Sequence, residues 1–213
     1  MSTPNTSSVH NFSWADEFFS PERLSSYLDG FGGSYPLALN AYATDLKALG
    51  EVALWINLLE IALRNAFTRQ IRNHLTGTSG EWFLDIEPLL TSKSKEALAI
   101  ARKRISKNGG QVTGSTMTAA LPFGFWVNLM GRRHEASLWT PALRLAFPNL
   151  RRPNRSFVSG RLLEIYRLRN HVAHQGLISA REMSVAKTLI SEVLSWISTE
   201  GHEWANANAP RIT

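Results

Sequence analysis

Residues 51 to 75 read Glu-Val-Ala-Leu-Trp-Ile-Asn-Leu-Leu-Glu-Ile-Ala-Leu-Arg-Asn-Ala-Phe-Thr-Arg-Gln-Ile-Arg-Asn-His-Leu. Alanine and leucine are abundant, and apolar side chains fall almost all round a helix drawn through the run. It therefore reads as a buried central helix. The pattern extends back to about Pro36, with a break suggested near Gly50, and stops before Gly77 and Gly80. Asn57, Glu60 and Arg64 lie at i, i+3 and i+7 and form one polar stripe. Glu60 and Arg64 are also an i, i+4 pair in the favourable order. That stripe has two readings: a local Glu60–Arg64 pair with a packing role, or a meeting of Glu60 with a cation from another helix.

A second stretch, Arg-Leu-Arg-Asn-His-Val-Ala-His-Gln at 167 to 175, supplies that cation. At about 100° per residue, Val158, Leu162, Ile165, Leu168 and Val172 share one helix face. Arg169 projects within the same sector. A guanidinium there must be paired or must line a cleft, because burying it alone is prohibitive. Arg169 is thus the natural partner for Glu60. Asn170 and His174 are i, i+4 neighbours, His171 and His174 are i, i+3 neighbours, and Gly176 is a natural C-cap. By themselves these residues fit a structural arginine with solvated histidines at a helix end. They fit equally a site that binds anions and moves protons near neutral pH. A metal site is not expected, since the chain has no cysteine and no H-E-x-x-H, and two imidazoles are a poor ligand set.

Outward from these stretches the chain reads as all-α. Residues 1–11 read as a disordered N-terminus, 12–204 as one α-helical domain and 205–213 as a frayed tail. Ser20-Pro21 opens a short helix that stops at Gly30. Ser92 to Lys107 is a basic helix, and Thr113-Gly114-Ser115 opens another. Leu121-Pro122-Phe123-Gly124-Phe125-Trp126 is a compact aromatic turn, able to stack on bases but read as core from its apolar flanks. A helix is expected from about Arg133 to Phe147, stopped by Pro148. Arg181 to Ile197 is amphipathic, with Ala186, Leu189, Ile190, Val193, Leu194 and Ile197 on one face. No strand pattern, repeat, phosphate-binding glycine loop or G-x-S-x-G elbow is present, which argues against nucleotide-driven enzymes and α/β hydrolases.

Hydrophobic residues make up 44% of the 213, ample for a core. The absence of cysteine suits a reducing cytoplasm. The polar start of the chain has no signal-peptide pattern, and Val52 to Leu63 is too short and too interrupted to span a bilayer. A cytoplasmic protein without a membrane partner is the expectation. Net charge is +6, unevenly spread: Leu89 to Arg169 holds fifteen Lys or Arg against three acids. Such a basic half suggests a polyanion partner. The candidate nucleic-acid contacts are Arg102, Lys103, Arg104, Arg132, Arg133, Arg151, Arg152 and Arg155.

Four stretches in order resemble the Abi-like (abortive infection) family of the HEPN superfamily: Leu58-Leu59-Glu60-Ile61-Ala62-Leu63-Arg64-Asn65, Phe123-Gly124-Phe125-Trp126, Leu138-Trp139-Thr140-Pro141-Ala142-Leu143 and Leu168-Arg169-Asn170-His171-Val172-Ala173-His174. The resemblance covers roughly residues 12 to 205. It implies an all-α HEPN-like helical bundle, here with an N-terminal helical extension, that usually dimerises. It also implies the R-x4-6-H motif, matched by Arg169 and His174, with Asn170 as the polar residue after the arginine. His171, Glu60, Arg64 and Asn65 would support that site. One departure is that Gln175-Gly176 stands where the family has Glu-Pro. Many active members are metal-independent endoribonucleases of phage-defence and toxin–antitoxin systems, and others are non-catalytic. The implied partners are RNA, a second copy of the chain and an antitoxin protein, with no cofactor. The residue types suit this: an imidazole moves a proton of the RNA's own 2′-OH, and a guanidinium holds phosphorane charge.

Overall fold

The computed structural model describes residues 12–77, 79–173 and 180–209. Every regular element among them is helical. The chain divides into two units, Met1–Leu49 and Gly50–Thr213.

The first unit holds α1 (Ser13–Phe19), α2 (Pro21–Gly30) and the start of α3 (Tyr35–His74). Ser20, at φ 69°, breaks the chain between α1 and α2, and Pro21 then opens α2. Ala15, Leu24, Tyr27, Ala38 and Tyr42 form its core. The Tyr27 and Tyr42 rings meet edge to face at 5.4 Å. Each buried phenol has a polar partner: the Tyr27 hydroxyl donates to Asp45 at 2.7 Å, and Arg23 donates to the Tyr42 hydroxyl at 3.3 Å.

The second unit begins within α3, which runs on without a break at Gly50. It continues with α4 (Trp82–Ile86), α5 (Ser92–Lys107), α6 (Gly114–Ala120), α7 (Phe123–Asn128), α8 (Arg155–Ala173), α9 (Ala180–Ile197) and α10 (Thr199–Asn208). α10 extends four residues beyond the Trp204 at which the sequence suggested fraying. In α3, Val52, Trp55, Leu59, Leu63, Phe67 and Ile71 are buried, as expected of a central helix. The burial is one broad face, however, since Leu54 and Ile61 remain 38% and 45% exposed. In α9 every residue of the expected apolar face is buried.

The run 133–147 is not one α-helix. It folds as 3-10 turns at Arg132–His134 and Leu143–Ala146, with a π-helical turn at Glu135–Trp139 between them. Pro141 supplies no N–H for a regular ladder. The broken path nonetheless buries Leu138, Trp139, Ala142, Leu143, Ala146 and Phe147. Aromatic contacts join these layers: Phe147 meets Phe67 at 5.9 Å and Trp196 at 6.3 Å, and Trp82 lies 5.5 Å from Trp126. A Trp82 indole N–H donates to the Gly114 carbonyl at 3.0 Å. Among the described residues no helix is long and apolar enough to cross a membrane.

His134 is buried, and neither ring nitrogen has a hydrogen-bond partner among the described residues. Burial pushes its imidazole below the ordinary value, and the charge of Arg133 pushes it further. The unfolded chain then binds the proton more readily than the folded one. Stability should therefore fall as pH drops below about 6.5 toward the lowered folded value. Urea titrations at about pH 7.5 and about pH 5.5 check this. His134→Leu should flatten the dependence, and an unchanged slope in that variant would count against the account.

Candidate functional site

α8 presents two different faces at its C-terminal half. Tyr166, Arg169 and Asn170 are i, i+3, i+4 neighbours and line one cavity of about 350 Å³. Lys93, Ser94, Glu96, Ala97 and Ile100 of α5 form another wall, and Pro122 to Phe125 with Asn128 close it from α7. Arg169 is half-buried. No ion pair joins it to an acid among the described residues. Of the two outcomes its place on an apolar helix face allowed, it lines a cleft.

Gly124 explains how α7 and α8 come so close. A Cβ on Gly124 would lie 2.9 Å from the Tyr166 hydroxyl oxygen and 3.0 Å from the ring. The Phe123 and Tyr166 rings sit 6.2 Å apart. Phe123, Phe125 and Trp126 are all buried, so the aromatic turn is core and not a base-stacking platform. The motif's contribution to the cavity is its glycine, which lets Tyr166 lie flat and sets the height of Arg169 one turn further on.

His171 faces the other way. It lines a separate groove of about 430 Å³ with Glu164, Arg167 and Leu168 of α8 and Glu182, Val185, Ala186 and Leu189 of α9. His174, Gln175 and Gly176 lie outside the described residues.

The expected ion pair of Glu60 is not formed. Among the described residues no ion pair joins Glu60 to Arg64 or to Arg169. Glu60 is half-buried and lines a cavity of about 370 Å³ with Arg104. Ala97, Ile100 and Pro122 line both this cavity and that of Arg169, so α5 and the α6–α7 turn stand between the two side chains. Arg64 and Asn65 belong to a third cavity, and Arg64 donates to the Ala119 carbonyl at 3.5 Å.

The basic residues sort by what they touch. Arg102 is committed to structure: it pairs with Glu87 at 2.6 Å and lies 5.2 Å over the Phe83 ring. Arg155 pairs with Glu135 at 3.1 Å and donates to the Met130 carbonyl at 2.7 Å. Of the candidate nucleic-acid contacts, these two thus already hold an acid partner. Arg104 donates to the Ala120 carbonyl while lining the Glu60 cavity. Arg132 and Arg133 are exposed and line a concavity of about 790 Å³ with Lys93 and Asn128. Lys103, Arg151 and Arg152 are exposed. Sequence reasoning missed Tyr166, Lys93, Asn128, Arg69 and Arg72. Only Tyr166 carried a signal, its helical spacing from Arg169 and Asn170.

Comparisons with protein-family models, curated proteins and solved structures gave no match. Among the described residues, no three His, Asp or Glu side chains gather as a metal-ligand set. What the Arg169 cavity offers chemically is a guanidinium with no ion pair among the described residues, an ammonium (Lys93), a single carboxylate (Glu96), two amides (Asn128, Asn170) and a phenol (Tyr166). This array suits a phosphate ester, since fixed cations can take its oxygens and amides can orient it.

Proposed function

We propose that the chain is a metal-independent endoribonuclease with an HEPN-like bundle, of the Abi-like kind, acting as a homodimer in phage defence or a toxin–antitoxin pair. The observation that carries the reading is the shared cavity: Arg169 and Asn170 of the R-x4-H pattern line it, and among the described residues no ion pair ties up Arg169. In the reaction the RNA's 2′-oxygen attacks the adjacent phosphorus and the 5′-oxygen leaves. The 2′-OH gives up its proton and the leaving oxygen gains one. An imidazole titrating near neutrality suits either transfer, and His174 takes that role. Arg169 binds the non-bridging oxygens, whose charge grows in the transition state. Asn170 orients the phosphate. Two copies of so sparse a site double the cations around one substrate.

The test is cleavage by the purified protein in EDTA. Products should end in a 2′,3′-cyclic phosphate and a 5′-hydroxyl, because the attacking oxygen belongs to the RNA. DNA, and RNA methylated at the scissile 2′-oxygen, should resist. Loss of cleavage in EDTA, or efficient cutting of the methylated strand, sinks the mechanism. RNA that binds with wild-type protein but is never cut assigns the cavity to a binding module instead.

A further inference from the structure

A cluster of three arginines facing a cavity lies away from Arg169, on α3. Arg64, Arg69 and Arg72 line a cleft of about 780 Å³ that has no acidic residue in its wall. Its floor is fixed. The Thr68 hydroxyl donates to Thr118 at 3.1 Å, because Thr118 gives its own hydrogen to the Gly114 carbonyl at 2.7 Å. Arg64 Nε is buried without a hydrogen-bond partner among the described residues. Arg69 and Arg72 are exposed, so their charge is available to a ligand.

This cleft is one end of a series. It shares Ala119 with the cavity of Glu60 and Arg104. That cavity shares Ala97, Ile100 and Pro122 with the cavity of Arg169. The Arg169 cavity in turn shares Lys93 and Asn128 with the concavity of Arg132 and Arg133. The four cavities thus adjoin through shared wall residues, as one furrow crossed by ridges, all within the second unit. Eight Lys or Arg line it against two acids, Glu60 and Glu96.

We propose that this furrow holds a single strand of RNA, with Arg64, Arg69 and Arg72 as a phosphate-binding subsite remote from the scissile position at Arg169. The inference rests on the ribonuclease reading above. Guanidinium groups at both ends suit a repeating phosphate backbone. Between them the amides of Asn65, Asn128 and Asn170 each offer a donor and an acceptor, which suits base edges exposed only in an unpaired strand. Ile100, 61% exposed on the ridge between two cavities, gives a base an apolar face to rest on.

The experiment compares wild-type protein with Arg69→Ala/Arg72→Ala, both positions being exposed on α3, with melting curves confirming that the variant folds. Affinity is measured for an unstructured RNA of about 16 nucleotides, for a dinucleotide and for duplex RNA, across a salt series. Wild-type protein should prefer the longer single strand over both others. The variant should lose most of that length advantage, bind the long strand roughly tenfold more weakly and show a salt slope smaller by about 1.4. An unchanged affinity and slope in the variant, with RNA still cleaved, overturns the subsite and leaves the ribonuclease reading standing. Wild-type protein that neither binds nor cuts RNA overturns both, and tighter binding of the duplex overturns the single-strand furrow.

Discussion

Arg169→Ala should lower RNA cleavage by at least about 10²- to 10³-fold, the usual loss when one preorganised donor to a developing charge is removed. The fold should tolerate the change. Arg169 is half-buried at a cavity wall, and no acid pairs with it among the described residues, so truncation orphans no partner. Lysine should restore only part of the rate, because an ammonium cannot bind two phosphate oxygens in the fixed plane of a guanidinium. His174→Ala should abolish turnover to a similar extent, and the double variant should be little worse than either single one, as for groups that act in one step. Single-turnover rates with melting curves alongside make the check. A His174→Ala or Arg169→Ala protein that cuts as fast as the parent would remove both residues from the mechanism.

Gly114→Val should cost about 2–5 kcal/mol of stability, combining overpacking with a lost, partly buried hydrogen bond. A Cβ at this position would lie 2.8 Å from Glu81 Oε2 and 2.9 Å from Trp82 Cδ1. The carboxylate can swing away, though it then gives up the Gly114 N–H that donates to it at 2.6 Å. The indole cannot, since Trp82 is buried against Trp126 and its N–H is committed to the Gly114 carbonyl. At about 2–4 °C per kcal/mol, the melting point should drop by roughly 4–20 °C. Gly160→Ala is the contrast. Nothing lies within 4 Å of its Cβ on exposed α8, so this change should be neutral or stabilising by up to about 1 kcal/mol. Equal effects from the two glycines would show that close approach to Trp82 is not what Gly114 provides.

The features legible in the sequence were those set by local periodicity. Ser92–Lys107 appeared at its true bounds because Thr91, a β-region cap accepting from Ser94, and Asn108 punctuate a simple repeat. The buried face of α9 could be named residue by residue for the same reason. The stretch 133–147 was misread because its apolar spacing is helical while Pro141 denies the backbone a helix; burial of six side chains won over a regular ladder. Glu60 shows the other limit. Periodicity states which way a side chain points, but not that Ile100 and Pro122 would come between it and Arg169. Arg69 and Arg72 escaped notice because cations near a helix C-terminus are ordinary. Only the approach of α6 turns them toward a common cleft.

The contact between Gly124 and the Tyr166 ring also bears on how this protein could be diversified. Rotating α8 to reposition Arg169 would drive the tyrosine into the α7 backbone, so that helix offers a mutant library little room. The opposite wall has none of this constraint. Lys93, Glu96 and Ile100 line the cavity from α5, and Ile100 is largely open to solvent. Altered preference for the strand should therefore be sought by randomising those three positions, with α7 and α8 held as an unvarying frame.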